Sequence, residues 1–198
     1  SAGNTVAITD TNAVNIGSST ATSLTVNSGG AVDLAGLTAT TLNVTANGAI
    51  SDTGTLVVSG TTTLVAGTGN NIDLDDTSNN FGTVVVTSGL AVTLVDTNAI
   101  DLGASTVTGA LDVTSGAGIT DSGALAITGA ATFITGATGS NIILDHASNA
   151  FSSSVEMKAD SGGNEAFGNI TFVDSAAVDL DSSASANGDL FINASTDG

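Results

Sequence analysis

The chain has 198 residues, of which 41% are hydrophobic and 3% aromatic, with 25 glycines, no proline and no cysteine. Its 19 acidic side chains and single lysine give a formal net charge of −18, which excludes nucleic acid as a partner because phosphate binding needs cationic side chains. Without cysteine, disulfides and thiolate metal sites are excluded. No stretch reaches the roughly 18 to 20 apolar residues that cross a bilayer, so no transmembrane segment is expected.

Apolar residues alternate with polar ones along the whole chain. In chain order the apolar-any-apolar triplets are Val6/Ile8, Leu24/Val26, Val32/Leu34, Leu42/Val44, Leu56/Val58, Ile72/Leu74, Val92/Leu94, Ile100/Leu102, Leu111/Val113, Leu125/Ile127, Ile142/Leu144, Ile170/Phe172, Val178/Leu180 and Leu190/Ile192. Period 2 is typical of half-buried strands, and no segment keeps a period of 3.6 over a helical length. The sequence therefore predicts an all-β fold with almost no α-helix.

The spacing of the triplets predicts how the strands connect. The segment from Leu24 to Leu34 is echoed by the segment from Leu42 to Asp52, 18 residues later. We expect a parallel β-helix, or β-solenoid, with about 18 residues per coil, about 10 coils and a length of roughly 50 Å, forming a single domain over residues 1–198. An antiparallel sandwich is the alternative for any all-β chain with short strands.

A longer motif recurs at three places in the chain. Residues Val6–Ile16 return as Val92–Leu102 and again as Ile170–Leu180. The first interval is 86 residues, whereas Leu42 recurs as Leu111 after 69, so the first copy holds about one extra coil. Repeats of this kind bury their apolar faces by stacking. We expect a segment of a longer array or a fibre subunit that self-associates end to end or laterally.

Aspartates follow the strands at five corners, namely Asp10, Asp52, Asp96, Asp121 and Asp174. Several lie two residues beyond an inward apolar residue, so the chain must turn there or else bury a carboxylate. We expect turns in which the aspartate side chain accepts a backbone hydrogen bond.

Two corners share a second pattern. Asn71 to Phe81 matches Asn141 to Phe151 with an offset of 70 residues. This pattern predicts ladders of asparagine side chains between successive coils, with the phenylalanines filling a wider corner of the core.

The segment from His146 to Phe167 holds the only histidine, methionine and lysine and both glutamates of the chain. About eight extra residues near its end predict a protruding loop, for which a surface without any role is the alternative. If the rod has a specific contact surface, we expect it at residues 156–167. Its candidate interaction residues are Glu156, Lys158, Asp160, Glu165 and Phe167.

The glycine-, threonine- and aspartate-rich run from Leu111 to Ile127 resembles the β-strand repeats of filamentous-haemagglutinin-like exoproteins and autotransporter passengers. The resemblance covers nearly the whole chain. It implies a right-handed parallel β-helix, secretion, and an adhesive or fibre-forming role at the bacterial cell surface. A surface or matrix partner would follow from that role.

The residues present favour a protein that is not an enzyme. Catalytic β-helices use carboxylates together with a cation and aromatic rings, and this chain has no Arg, Tyr or Trp. No cofactor is expected except for a weak calcium candidate formed by Asp73, Asp75 and Asp76, for which solvated carboxylates are the alternative. His146 is interpreted as a solvent-facing or corner residue.

These observations predict a structural extracellular rod or fibre at the cell surface with an adhesive or scaffold role. The alternative is a ligand-binding solenoid module of a large adhesin, either calcium-stabilised or ice-binding. The ice-binding hypothesis depends on two threonine pairs, Thr20/Thr22 and Thr38/Thr40, which lie 18 residues apart and would stack as a flat array.

Overall fold

The computed structural model of the chain describes residues 4–159, 168–177, 179–180 and 190–194. These residues form 24 strands, and every strand pair among them is parallel. The predicted all-β parallel solenoid is confirmed, and the antiparallel alternative is wrong. No part of these ranges forms a helix of the length and apolar character that crossing a membrane requires.

The strands are short, and β9 and β11 are the longest of them. The first twelve are β1 (Thr5–Asp10), β2 (Val14–Ile16), β3 (Ser19–Thr20), β4 (Ser23–Ser28), β5 (Val32–Leu34), β6 (Leu37–Ala39), β7 (Thr41–Ala46), β8 (Ile50–Asp52), β9 (Leu56–Val65), β10 (Ile72–Leu74), β11 (Asn80–Ser88) and β12 (Val92–Asp96). The others are β13 (Ile100–Leu102), β14 (Ser105–Val107), β15 (Leu111–Ser115), β16 (Ile119–Asp121), β17 (Leu125–Ile127), β18 (Ala131–Thr135), β19 (Ile142–Leu144), β20 (Ala150–Phe151), β21 (Ser154–Ala159), β22 (Ile170–Asp174), β23 (Asp179–Leu180) and β24 (Leu190–Ala194).

Each turn of the chain passes through three faces. The second face is a sheet of nine strands in the order β2, β5, β8, β10, β12, β15, β18, β21 and β23. Counted in chain order from the second face, the next strand in each turn lies on the third face, namely β3 and β6 and later β13, β16, β19, β22 and β24, and the strand after it lies on the first, namely β1, β4 and β7 and later β14, β17 and β20. Strands β9 and β11 bend from the third face to the first and join both in one sheet.

The nine stacked strands of the second face correspond to eight turns of the chain, so the predicted count of about 10 coils is too high. The predicted period of 18 residues holds at the start, where Val14 pairs with Val32 and Val32 with Ile50. Later coils are longer, and Val155 pairs with Leu180, 25 residues away. The corners lengthen while the strands keep their register, apart from two irregularities between β9 and β11. The average coil therefore approaches 20 residues, and the described solenoid is about 40 Å long.

The inward side chains form one continuous core of Val, Leu, Ile and Phe. The rings of Phe133 and Phe151 lie 6.1 Å apart edge to face, and Phe151 lies 5.1 Å from Phe172. The predicted role of Phe81 and Phe151 as corner fillers is confirmed, since both are buried. The partly buried apolar side chains packed against the core lie at its two ends: Val6, Ile8, Val14, Leu180 and Ile192.

The recurring motif begins on a different face in each of its three copies. Its three copies begin on β1, β12 and β22, which lie on the first, second and third faces. The first interval spans four and one third turns and the second three and one third. The predicted extra coil in the first interval is therefore confirmed. Each copy therefore begins one face later in chain order than the copy before it, although β22 belongs to the same sheet as β1.

The first residues of the predicted loop lie in a strand instead. Glu156 and Lys158 lie in β21, which pairs with β18, and they form an ion pair with each other on the outward side. The period-2 alternation of the buried residues Val155, Met157 and Ala159 holds this segment in the sheet. The other three candidates, Asp160, Glu165 and Phe167, lie outside the described residues.

Candidate functional site: the aspartate–asparagine corners

A fully buried asparagine joins two coils at the corner between β10 and β11. The Oδ1 atom of Asn79 accepts the backbone N–H of Leu56 at 2.7 Å, and its Nδ2 donates to Oδ2 of Asp52 at 2.6 Å. Asn79 is 0% exposed. Oδ1 of Asp52 accepts a further bond from the backbone N–H of Asp75 at 3.1 Å. Both groups of the amide and both oxygens of the carboxylate are thereby engaged.

The same arrangement recurs at the corner between β19 and β20. Oδ1 of Asn149 accepts the N–H of Leu125 at 2.9 Å, and its Nδ2 donates to Oδ2 of Asp121 at 2.6 Å. The backbone N–H groups of Asp145 and His146 also donate to Asp121, at 2.9 and 3.3 Å. The two corners use identical chemistry at equivalent positions.

Each corner is also tied to the coil that follows it. The carbonyl of Asn79 accepts the N–H of Thr97 at 2.8 Å, and the N–H of Phe81 donates to Oδ2 of Asp96 at 2.6 Å. One such unit therefore connects three successive coils. We call Asp52, Asn79, Phe81 and Asp96 the first clasp.

The second clasp consists of Asp121, Asn149, Phe151 and Asp174. Here the carbonyl of Asn149 accepts the N–H of Ser175 at 2.8 Å, and the N–H of Phe151 donates to Oδ1 of Asp174 at 3.3 Å. Buried polar groups that are bonded in this way stabilise a single register, because any other register leaves them unpaired. Among the described residues, Oδ2 of Asp174 is the one clasp carboxylate oxygen that is buried without a hydrogen bond.

The sequence suggested that the chain either turns at each of these aspartates or buries the carboxylate, but two of the aspartates do both. Asp96 and Asp174 are only 2% and 1% exposed, yet both also make the predicted turn by accepting the N–H of Asn98 and of Ala176. Asp52 and Asp121 instead bond the backbone of the next coil.

The predicted asparagine ladder is wrong at the clasps. Asn79 and Asn149 bond aspartates and backbone groups, and their corners lie on coils that are not adjacent. The only signal in the sequence that could have identified the clasps was the joint recurrence of Asp52 with Asn79 as Asp121 with Asn149.

Burial changes the ionisation of Asp52, Asp96 and Asp121. Desolvation raises the pKa of Asp52, Asp96 and Asp121 above the ordinary value of 3.8, although hydrogen bonds to each carboxylate oppose the shift. A raised folded-state pKa means that the folded protein binds protons more readily than the unfolded chain.

Stability is therefore expected to rise as the pH falls from 7 towards 3.8, the ordinary value of an unfolded aspartate. The stabilisation that comes from the raised pKa values is complete at pH values below the pKa of the unfolded aspartate. It is lost as the pH rises through the pKa of the folded aspartate. Urea unfolding between pH 4 and pH 7 at high salt tests this, because salt screens the general repulsion. The free energy of unfolding of the Asp96→Asn variant should vary less with pH. If the stability of the parent chain falls on acidification, the prediction is contradicted.

The weak calcium candidates lie on the surface near the first clasp. Asp73 and Asp75 are exposed, and Oδ1 of Asp76 accepts the N–H of Ser78 at 2.8 Å. At the second corner Nδ1 of His146 accepts the N–H of Ser148 at 3.2 Å in the same way. Within the described residues no three His, Asp or Glu side chains are grouped so as to hold a metal ion. Calcium binding stays a prediction.

The threonine pairs stack as predicted, but only over two coils. Thr20 pairs with Thr38, and the next residue in that row is Val57. Ice binding likewise stays a prediction.

The stacked coils and the two clasps define a structural repeat protein of the β-solenoid class. Residues 23–88 and 89–158 each match a family described as repeats of unknown function (DUF5649), and the chain belongs to this family. No curated protein and no solved structure matches the chain. The resemblance to haemagglutinin-like exoproteins and autotransporter passengers stays a prediction.

The family repeat spans the same number of turns as the second interval of the motif. Residues 23–88 run from β4 to β11 and residues 89–158 from β12 to β21. In each span the chain crosses a face ten times, which we call ten passes. This count includes β9 and β11 twice, because each of them extends over two faces. Ten passes over three faces make three and one third turns, so each repeat begins one face further round than the repeat before it.

Proposed function

We propose that this chain is a structural module of an extracellular rod or fibre, in which repeats stack coil upon coil and the rod has an adhesive or scaffold role at the cell surface. The observation that carries the proposal is the core that continues to both ends. Val6 and Ile8 in the first coil are only partly buried, whereas their counterparts Val92 and Leu94 are 1% exposed beneath the preceding coil. A solenoid with such ends gains stability from each added coil.

The surface charge supports a setting rich in salt. The net charge of −18 opposes side-by-side packing of rods until it is screened. The single lysine, Lys158, pairs with Glu156 of its own strand, so it adds little attraction towards a neighbour. Lateral assembly then depends on dissolved cations.

The clasps have a structural role in this function and no catalytic one. Both oxygens of Asp52 and of Asp96 accept hydrogen bonds, mostly from backbone N–H groups, and all of these bonds except the one from Asn98 join successive coils. The carboxylates with shifted pKa values thus act as structural acceptors.

An antibody raised against the chain tests the location and the shape together. On intact, unpermeabilised cells of the source organism it should label the surface, and immunogold images should show thin rods projecting from the cell. A cytosolic protein probed in the same preparation is the control. Labelling that requires permeabilisation would contradict the proposed location.

A further inference from the structure

The first coil contains one half of a clasp. Asp10 ends β1 as Asp96 ends β12 and Asp174 ends β22, and all three belong to copies of the same motif. Asp10 makes the same turn, in which its Oδ1 accepts the N–H of Asn12 at 2.8 Å. The carboxylate of Asp10 is nevertheless exposed, whereas those of Asp96 and Asp174 are buried.

The difference lies in what covers these carboxylates. Asp96 and Asp174 each accept the N–H of a phenylalanine that follows a buried asparagine by two residues, Phe81 and Phe151. The carbonyl of that asparagine also accepts the N–H of the residue after the aspartate, Thr97 or Ser175. At the first coil the described residues supply no such corner above Asp10 and Thr11.

We propose that the outer edge of the first coil, formed by β1 and β2, is a docking edge for another repeat of this family that presents an Asn-X-Phe corner. The inference rests on the proposed stacking function and names the partner of that stacking. The contact is continuous with an interface that the chain already forms twice. Its apolar part consists of the partly buried side chains of Val6, Ile8 and Val14.

The positions of the two clasp corners relative to the faces fix the orientation of the partner. The corner of Asn79 lies between the second and third faces and covers the end of the second face at Asp96. The corner of Asn149 lies between the third and first faces and covers the end of the third face at Asp174. The docked corner above Asp10 therefore lies between the first and second faces.

An extended chain tests this inference. A further copy of residues 23–91 is joined directly to Val6 in place of residues 1–5, which reproduces the natural junction between Ala91 and Val92. Hydrogen exchange of the Thr11 amide should slow at least tenfold relative to the parent chain. The Asp10→Ala substitution should lower the Tm of the extended chain by about 5 °C or more and that of the parent by no more than about 2 °C.

The matched control is Asp112→Ala, since Asp112 is an exposed strand aspartate and should respond equally in both chains. The docking edge alone would be overturned if the extension folds, the Thr11 amide still exchanges fast, and Asp10→Ala lowers the Tm of both chains equally. An added repeat that stays unfolded beside an intact parent solenoid would overturn the stacking function together with the docking edge.

Discussion

Replacing Asn149 by alanine is expected to destabilise the solenoid by about 3 kcal/mol, because it removes the partner of a buried N–H group and of a half-buried carboxylate. The N–H of Leu125 loses its acceptor, and Oδ2 of Asp121 loses its shortest hydrogen bond. Asn79→Ala should have a similar effect at the first clasp, where Leu56 and Asp52 occupy the same positions.

Urea unfolding followed by circular dichroism measures this loss. The control is Asn15→Ala, because Asn15 is exposed and its Nδ2 donates to Asp33 at 2.8 Å. That substitution should change the free energy of unfolding by less than about 0.5 kcal/mol. Adding Asp121→Ala to Asn149→Ala should cost less than the sum of the two single losses. If Asn149→Ala is as mild as Asn15→Ala, the clasp does not stabilise the stack.

The Gly116→Ala variant is expected to lose about 2 to 3 kcal/mol, because the new methyl group meets the backbone of the preceding coil. A Cβ atom at Gly116 would lie 2.1 Å from the carbonyl oxygen of Thr97. Gly29 has the same relation to Thr11, also at 2.1 Å. Glycine at this corner allows adjacent coils to approach to the spacing that their strand hydrogen bonds require.

Gly69→Ala is the matched control, because nothing lies within 4 Å of a Cβ at that position. It should change the free energy of unfolding by less than about 1 kcal/mol. Thermal or urea unfolding of both variants under the same conditions makes the comparison. Equal stabilities for the two variants would show that the coils can separate at this corner without cost.

Several features of the fold could be predicted from residue patterns because they depend on local alternation. Val92 and Leu94 are spaced by two residues and both point inward, as do Leu111 and Val113 one turn later. The recurrence of whole motifs predicted stacking in parallel, and the interval of 86 residues against 69 predicted the extra coil. Glu156 was misplaced in a loop because rare polar residues outweighed the alternation of Val155 and Met157.

The sequence by itself determined the strands, their inward faces and the repeated units, since each of these depends on residues close together in the chain. Only the tertiary structure decided the length of each coil, the shift by one face in chain order from repeat to repeat and the clasps. Asp52 and Asn79 are 27 residues apart, and what brings them together is the number of residues that the corners between them insert. Corners vary in length without changing the strand register, so no fixed period in the sequence predicts that contact.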